Sequence, residues 1–531
     1  MPVALAPGNR AVHPIVGDET LRAAMDRRAR ETPGDVYCIF EDRPLTFAML
    51  DAAVNRVANA LLARGLVKGD RVALMLPSHP DHIVAIFALA KIGLVRVPVN
   101  VHLKGPALEF LFEQFAPRAL IADHEHASLL APVLAHHAMP LVVWRGEHAP
   151  GPTFADLTAH PDAQAPAVAP GPDDILAITP SSGTTGAPKG VLKSDRTLRA
   201  GPIATRVLPD RKDGDVLLLW EALHHGAGVA VLIGAVLERI TLAMVPRFSA
   251  SRFFDEARHY RVTHIHYLGS VLQMLLKQPP REDDRDHGVR VAWGGGCPLE
   301  IWKAFEARFG VEIREGYGLS ELVTFVLVNP DGPAGSIGKP LPWYDIELAD
   351  ADGGPVAAGE TGEIVVHAHD DRLGFLGYFR NEDATKAACR ERDGQRWFLT
   401  GDLGRQDAQG WFSYAGRTKD SVRRRGINIS AWEVERVINE HDDVEECALV
   451  GVPGELGEDE LLLYLRKAGG RTLTPEALIR WCEPRLPYFQ IPRYIAFVDD
   501  FPRTPTQRVR KAELSRDVTG AWDRESGQRK P

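Results

Sequence analysis

From Asp70 onward, apolar runs of strand length alternate with longer segments whose apolar positions recur at helical spacing. RVALMLP (Arg71–Pro77) reads as a strand, His82–Gly93 as a helix and Leu94–Asn100 as the next strand. EFLFEQF, RALIAD, a helix near His126–His137 and LVVW continue the pattern. It resumes with DVLLLW (Asp215–Trp220), a glycine-rich helix, ITLAMV, a helix over Ser249–Tyr260 and VTHIHYL (Val262–Leu268). GVRVAWGGG, a helix over Leu299–Phe309 and VEIREGYG complete it. Such alternation predicts doubly wound parallel sheets, with ligands near the carboxyl ends of the strands.

Near Gly335 the pattern changes to short strands and turn signals without a helix of any length, predicting a small β-rich subdomain over about 335–415. A final segment begins at Lys419 and carries the helix-like ISAWEVERVINEH and the strand-like CALVGV. The expected division is therefore a large region, 1–418, and a small one, 419–531. Pro161–Asp174 reads as a linker or exposed loop, and the acidic clusters Asp442–Glu446 and Glu455–Glu460 as solvated faces.

Composition narrows the class. Of 531 residues, 45% are hydrophobic and 25% charged, which fits a globular enzyme and excludes a disordered or collagen-like chain. The net charge of −9 gives no general basis for nucleic-acid binding. Cys38, Cys297, Cys389, Cys447 and Cys482 are scattered with no CxxC pair, as expected of thiols in a reducing cytosol. The N-terminus lacks a signal-peptide pattern, and the longest uncharged apolar run, Gly226–Leu237, is too short to span a bilayer. The expectation is a soluble cytoplasmic protein. Its 48 glycines and 39 prolines exceed average usage, so the position of the glycines matters.

The densest chemistry lies in ILAITPSSGTTGAPKGV (Ile175–Val191). A strand runs into Ser181, Ser182, Gly183, Thr184, Thr185 and Gly186, then Pro188, Lys189 and Gly190. Small residues let backbone N–H groups converge on an anion, the four hydroxyls add donors, and Lys189 adds a charge. A P-loop needs a hydroxyl residue after its lysine, whereas here Gly190 follows Lys189, so kinase and GTPase readings drop.

SSGTTGAPKG resembles the signature loop of the adenylate-forming superfamily: acyl- and aryl-CoA synthetases, peptide-synthetase adenylation domains and luciferases. The resemblance covers nearly the whole chain. LTFAMLD (Leu45–Asp51), KIGLVRVPVN, GGGCPLE (Gly294–Glu300), YGLSE (Tyr317–Glu321) and GSIGKP (Gly335–Pro340) occur in the family's order. GETGEI (Gly359–Ile364), LTGDLG (Leu399–Gly404), GRTKDSVRRRGINISAWEVE (Gly416–Glu435) and TPTQRVRKAEL (Thr504–Leu514) complete the set. RRRGINIS and TPTQRVRK look most like crotonobetaine/carnitine-CoA-ligase-like acyl-CoA synthetases. The implied fold is α/β: a large N-terminal domain of two doubly wound parallel sheets plus the β-rich subdomain, then a small mobile α+β C-terminal domain.

The implied reaction has two halves. A carboxylate attacks the α-phosphate of Mg·ATP, giving an acyl-adenylate and pyrophosphate, and a thiol, usually of coenzyme A, then takes the acyl group. The resemblance places Ser181, Ser182, Gly183, Thr184, Thr185, Gly186 and Lys189 around the ATP phosphates. Glu321 matches the magnesium carboxylate, and one carboxylate with phosphate oxygens is a normal way to hold that ion. Ser320 replaces the usual threonine and keeps its hydroxyl toward the α-phosphate. Gly296, Gly316, Tyr317 and Gly318 flank the nucleotide, with Tyr317 stacking on adenine or lying in the core; Glu315 matches a residue that faces the adenine amino group. Asp402 matches the acceptor of the ribose hydroxyls, Arg417 an arginine reaching ribose and phosphate, and Lys419 the hinge of the C-terminal domain.

Two positions depart from the family. Arg508 stands where a lysine bridges carboxylate and α-phosphate; it keeps the charge on a wider fork. Arg425 and Gly426 replace a paired glycine where the pantetheine arm of coenzyme A passes, beside a basic run, Arg423–Arg425, that is either a phosphate contact or a solvated face. The acyl pocket is expected from Glu221, His225, Tyr267, Gly269, Trp293, Gly294 and Gly295, with His224 as a gating residue or a satisfied core histidine. Glu221, His225, His264 and His266 favour a short, aromatic or polar acid over a long alkyl chain. No catalytic triad or zinc motif is present. The implied activity is a carboxylic acid–CoA ligase using ATP, Mg2+ and coenzyme A. Its rivals are an acyl-AMP ligase loading a carrier protein and a nucleotide-binding paralogue impaired at Arg508. The expected partners are a small carboxylic acid and coenzyme A, without nucleic acid or membrane span and with a homodimer left open.

Overall fold

The computed structural model describes residues 17–147, 150–180, 189–268, 270–323, 325–418, 421–424, 427–454, 459–486, 488–503 and 508–530. The chain divides into two compact units. The first comprises Met1–Ser181, Pro188–Asp345 and His367–Phe398; the second comprises Ser182–Ala187, Ile346–Val366 and Leu399–Pro531.

The first unit holds two sheets. In the smaller, the strands run in the order Leu141–Arg145, Ala119–Asp123, Arg71–Met75, Val95–Pro98, Ile175–Pro180, Gly190–Ser194. All pairs are parallel except the last. Buried on both faces, these strands read as continuous apolar runs, as parallel strands must. Ala73, Val97 and Leu120 pack against Leu108, Phe112 and Leu130 of the helices Gly105–Phe115 and Ala127–His136. Helix Pro80–Lys91 starts where His79 accepts from Asp81 N and proline occupies the first turn, where no N–H is needed.

The larger sheet has nine strands: Lys339–Pro340, Leu327–Asn329, Glu312–Tyr317, Val291–Gly295, His264–Leu268, Val216–Leu219, Thr241–Met244, Val36–Phe40, Arg43–Thr46. Its centre is parallel and both edges antiparallel. The N-terminal hairpin thus belongs to this second sheet, although it precedes the first in sequence. Local periodicity carries no information about which sheet a strand joins, so the interleaving was not legible. The helices Phe253–His259 and Leu299–Phe309 cover one face through Phe253, Ala257, Phe305 and Phe309.

The β-rich region forms antiparallel pairs, Cys389–Arg392 against Gln395–Phe398 in the first unit and Asp402–Gln406 against Phe412–Arg417 in the second. Its helices are short: a 3-10 turn over Asp371–Leu373 and the six-residue Glu382–Ala387. The second unit continues with a two-stranded pair, Ser421–Arg424 and Ile427–Ser430, and a five-stranded mixed sheet built on Val444–Pro453 and Asp459–Lys467. Leu449, Leu461 and Leu463 pack against Val434, Ile438 and Leu478 of the helices Ala431–Ile438 and Pro475–Cys482. The helix begins two residues later than its sequence pattern suggests, because Ile429 and Ser430 pair across the hairpin with Val422 and Ser421. Among the described residues no helix is long and apolar enough to cross a membrane.

Candidate active site

Three expected and unexpected residues meet where the smaller sheet's last strand begins. Lys189 immediately precedes Gly190–Ser194, and its Nζ lies 4.8 Å from the centroid of the Tyr378 ring. The Tyr378 hydroxyl donates to Glu321 Oε1 at 3.1 Å. The segment carrying Tyr378 is laid against the strand: Leu192 N donates to Gly377 O at 3.1 Å and Phe379 N to Gly190 O at 2.7 Å. Thr385 Oγ1 accepts from Tyr378 N at 2.9 Å, fixing the tyrosine further. Burial, then the nearby Glu321 charge, pushes the Tyr378 phenol well above its ordinary range, so it remains a donor. Lys193, on the same strand, donates to Leu322 O, and burial lowers it to about 8 against the pull of Glu321. Sequence reasoning missed both Tyr378 and Lys193. A lysine inside the apolar run GVLKS was a usable signal; GYFR offered none.

Glu315, Gly316 and Tyr317 end the strand Glu312–Tyr317, next to Gly294 and Gly295 on Val291–Gly295. A Cβ at Gly294 would overlap the Tyr267 carbonyl oxygen, so glycine lets two parallel strands close together. Gly296 turns the chain with φ +87°, the left-handed region that glycine enters freely. Glu315 is fully buried and its carboxyl oxygens are already engaged. Gly296 N donates to Oε1 at 2.5 Å, Cys297 N at 3.1 Å, and the Tyr267 hydroxyl to Oε2. Burial raises Glu315 to about 8, with Tyr267, Cys297 and Gly296 working in the opposite direction. Its observed partners make it the residue that holds the Gly294–Cys297 turn to the end of the strand. Tyr317 is buried, while Gly318 is half-buried and Ser320 exposed.

After Val216–Leu219 the chain presents Glu221, His224 and His225, and His225 leads into helix Gly226–Leu237. The two histidine rings lie 4.3 Å apart. Burial, with His225, His82, His102 and Arg96 nearby, lowers His224 to about 3, so it is a neutral imidazole at physiological pH. Arg96, also buried, donates to Leu223 O at 3.1 Å and supports this turn from the neighbouring sheet. Glu221 is paired with His266, whose ring lies 4.5 Å from that of Trp293. His264 is a satisfied core histidine, bonded to Pro209 O at 3.0 Å and close to Asp215.

In the second unit, Asp402 and Arg417 are register partners across an antiparallel pair and form an ion pair, Nε to Oδ1 at 2.9 Å. Thr400 Oγ1 accepts from Asp402 N at 3.0 Å and donates to Ile364 O at 2.7 Å, fixing the strand that carries the carboxylate. Tyr414 is raised by burial and by Asp402, and the charges of Arg417 and Arg508 oppose that rise; these four groups therefore share one neighbourhood. Lys511 is committed elsewhere, to Glu435 at 2.7 Å. Arg424 fits neither reading of the basic run: it is buried, paired with Glu460 at 2.7 Å and bonded to Phe489 O. Ser181, Ser182, Gly183, Thr184, Thr185, Gly186, Gly269, Lys419, Arg425 and Gly426 lie outside the described residues.

Among the described residues no three His, Cys, Asp or Glu gather as a metal site. A single carboxylate, Glu321, held by one phenol beside a lysine, is the donor set that suits magnesium arriving with phosphate oxygens. All five cysteines are free.

Known proteins resemble this chain over nearly its whole length. The chain is 29% identical over 517 residues to crotonobetaine/carnitine–CoA ligase of Citrobacter koseri, covering 94% of this chain and 99% of the relative. Its fold matches ATP-bound MatB from Rhodopseudomonas palustris with a TM-score of 0.83 and 25% identity, over 93% of this chain and 98% of the other. It also matches o-succinylbenzoate CoA synthetase of Bacillus subtilis, solved with its acyl-adenylate intermediate, with a TM-score of 0.81 and 26% identity, over 92% and 97%. The AMP-binding enzyme model matches residues 25–379, and the AMP-binding enzyme C-terminal domain model residues 433–508. The chain belongs to the AMP-binding enzyme family.

Proposed function

We propose that this protein is an ATP- and magnesium-dependent carboxylic acid–CoA ligase, an AMP-forming acyl-CoA synthetase. The acid's carboxylate attacks the α-phosphate of ATP, forming an acyl-adenylate and releasing pyrophosphate. The thiol of coenzyme A then attacks the acyl carbon, forming the thioester and releasing AMP. The observation that carries this reading is the Lys189–Tyr378–Glu321 constellation, in which one phenol stands between the phosphate-loop lysine and the candidate metal carboxylate. Lys189 balances charge on the β- and γ-phosphates, with the hydroxyl-rich loop before it. Magnesium, when bound with ATP, supplies further neutralisation of the phosphates, and Glu321 is the residue that would hold it. Asp402 accepts the ribose hydroxyls, Arg417 steadies that carboxylate, and Arg508 takes the place of the family's bridging lysine.

Supporting the ligase reading, the named relatives are CoA ligases, and the Bacillus subtilis enzyme has also been solved with ATP and a magnesium ion. The reading includes rotation of the segment 419–531 about Lys419 between the two half-reactions. It also includes a cytoplasmic site, consistent with five unpaired cysteines. The test is pyrophosphate release and ATP binding in Lys189→Ala and Glu321→Ala. Each is expected to lose pyrophosphate release by at least about a hundredfold, the scale of losing one electrostatic stabiliser. Wild-type rates in both would mean these residues do not serve the phosphates.

A further inference from the structure

The larger sheet sends alternate residues to opposite faces. Val216, Leu218, Ile265, Tyr267 and Ala292 enter the apolar layer with Phe253 and Phe305. His266 and Trp293 are register partners of the opposite parity, and Glu221 continues the parity of Leu217 and Leu219. Helix Gly226–Leu237 closes over this face, with Gly228 set directly against Glu221 Cβ. Glu221 and His266 are each 2% exposed. His266 Nδ1 and Glu221 Oε1 are hydrogen-bonded to each other. Glu221 Oε2 and Trp293 Nε1 are buried and have no hydrogen-bond partner among the described residues.

A buried acceptor left unsatisfied is destabilising, and more so when charged. Such a group therefore asks for a ligand or an ordered water. Glu221 lies just beyond the carboxyl end of Val216–Leu219, the edge at which open α/β sheets receive ligands. Trp220 Nε1 donates to His266 O at 2.9 Å, holding that strand end in place.

We propose that the acid this enzyme activates carries, away from its carboxylate, an electropositive group (a hydroxyl, an amine or an ammonium) that faces Glu221 Oε2. The assignment rests on the ligase reading and names the substrate class for it. Glu221 is the specificity-determining residue and His266 positions it. A second carboxylate on the acid would meet Glu221 as a like charge, so dicarboxylic acids are rejected.

The experiment uses the full-length protein and a panel of aliphatic and aromatic acids in matched sets. Each set ends in hydroxyl or amine, trimethylammonium, methyl, or carboxylate, and pyrophosphate release is measured with ATP and magnesium. Wild type is expected to favour the electropositive ends over methyl by about a hundredfold or more in kcat/KM, because a site built to bond a polar group discriminates strongly. Glu221→Gln keeps an acceptor without the charge; it is expected to retain hydroxyl acids and to lose at least about tenfold on cationic ones if the true end group is ammonium. Glu221→Leu is expected to reduce the preference over methyl to within a few-fold. Pyrophosphate release by wild type with equal or better use of methyl or carboxylate ends would overturn the substrate assignment alone, whether or not the variants fold. Absence of pyrophosphate release with every acid would remove the ligase reading itself.

Discussion

Replacing Glu315 by Gln isolates the energetics of the Gly294–Cys297 turn. In the native protein burial raises this carboxyl from 4.5 to about 8, against the hydrogen bonds from Tyr267, Cys297 and Gly296. The native state therefore keeps a proton that the unfolded chain releases. The associated stability is fully present below about pH 4.5 and is lost as pH rises to about 8, after which the curve is flat. A shift of about 3.5 units at about 1.36 kcal/mol each gives about 5 kcal/mol across that window. Glutamine has no proton to lose, yet its amide oxygen can still accept from Gly296 and Cys297. Urea unfolding of both proteins across the window, followed by tryptophan fluorescence, removes every other titrating group by difference. Wild type is expected to lose about 5 kcal/mol relative to Glu315→Gln between low and high pH. Parallel profiles, or a wild type that gains on the variant as pH rises, would show that native Glu315 holds no such proton. Tyr267→Phe removes a donor to the ionised form and is expected to move the upper end of the window higher.

Tyr378→Phe deletes the 3.1 Å bond to Glu321; at about 1.5–3 kcal/mol for a bond to a charged group, the magnesium concentration for half-maximal adenylation should rise about ten- to a hundredfold. A magnesium titration of pyrophosphate release checks this, and an unchanged midpoint would show that the phenol does not position Glu321. Gly294→Ala sets a Cβ against the Tyr267 carbonyl, where only backbone movement relieves the overlap; overpacking of about 1–3 kcal/mol should lower Tm by about 1–3 °C, and an unchanged Tm would contradict it. Burial pushes Cys38 and Cys482 up to about 12, while Cys389 is half-buried. A charged thiol reagent at neutral pH should therefore label Cys389 ahead of them, with mass spectrometry of the labelled peptides deciding the order.

Much of the fold was legible because buried parallel strands must be apolar throughout and their covering helices amphipathic. Arg71–Met75, Val95–Pro98 and Leu299–Phe309 follow directly from that pattern. The pairing of Val36–Phe40 with Thr241–Met244 was not legible, since it joins residues some two hundred positions apart through backbone hydrogen bonds that carry no side-chain signal. The candidate site divides in the same way. Lys189, Glu321 and Asp402 stand in motifs whose residue types announce their chemistry. Tyr378 acts through one hydroxyl brought to Glu321 by a segment packed on the Gly190–Ser194 strand, a tertiary fact. At Glu315 the motif does not reveal that its oxygens accept from the Gly296 and Cys297 amides and from Tyr267. Arg424 likewise sits in a basic run and is nonetheless buried against Glu460, which charge counting along the chain cannot reveal.

This chain joins a carboxylic acid to the thiol of coenzyme A through an acyl-adenylate. The most direct measurement is isotope exchange from labelled pyrophosphate into ATP across a panel of acids, first without coenzyme A and then with product analysis after its addition. The expected result is acid-dependent exchange without coenzyme A, then stoichiometric AMP and acyl-CoA once it is added. Exchange that no acid elicits, or AMP released without an acyl thioester, would contradict it.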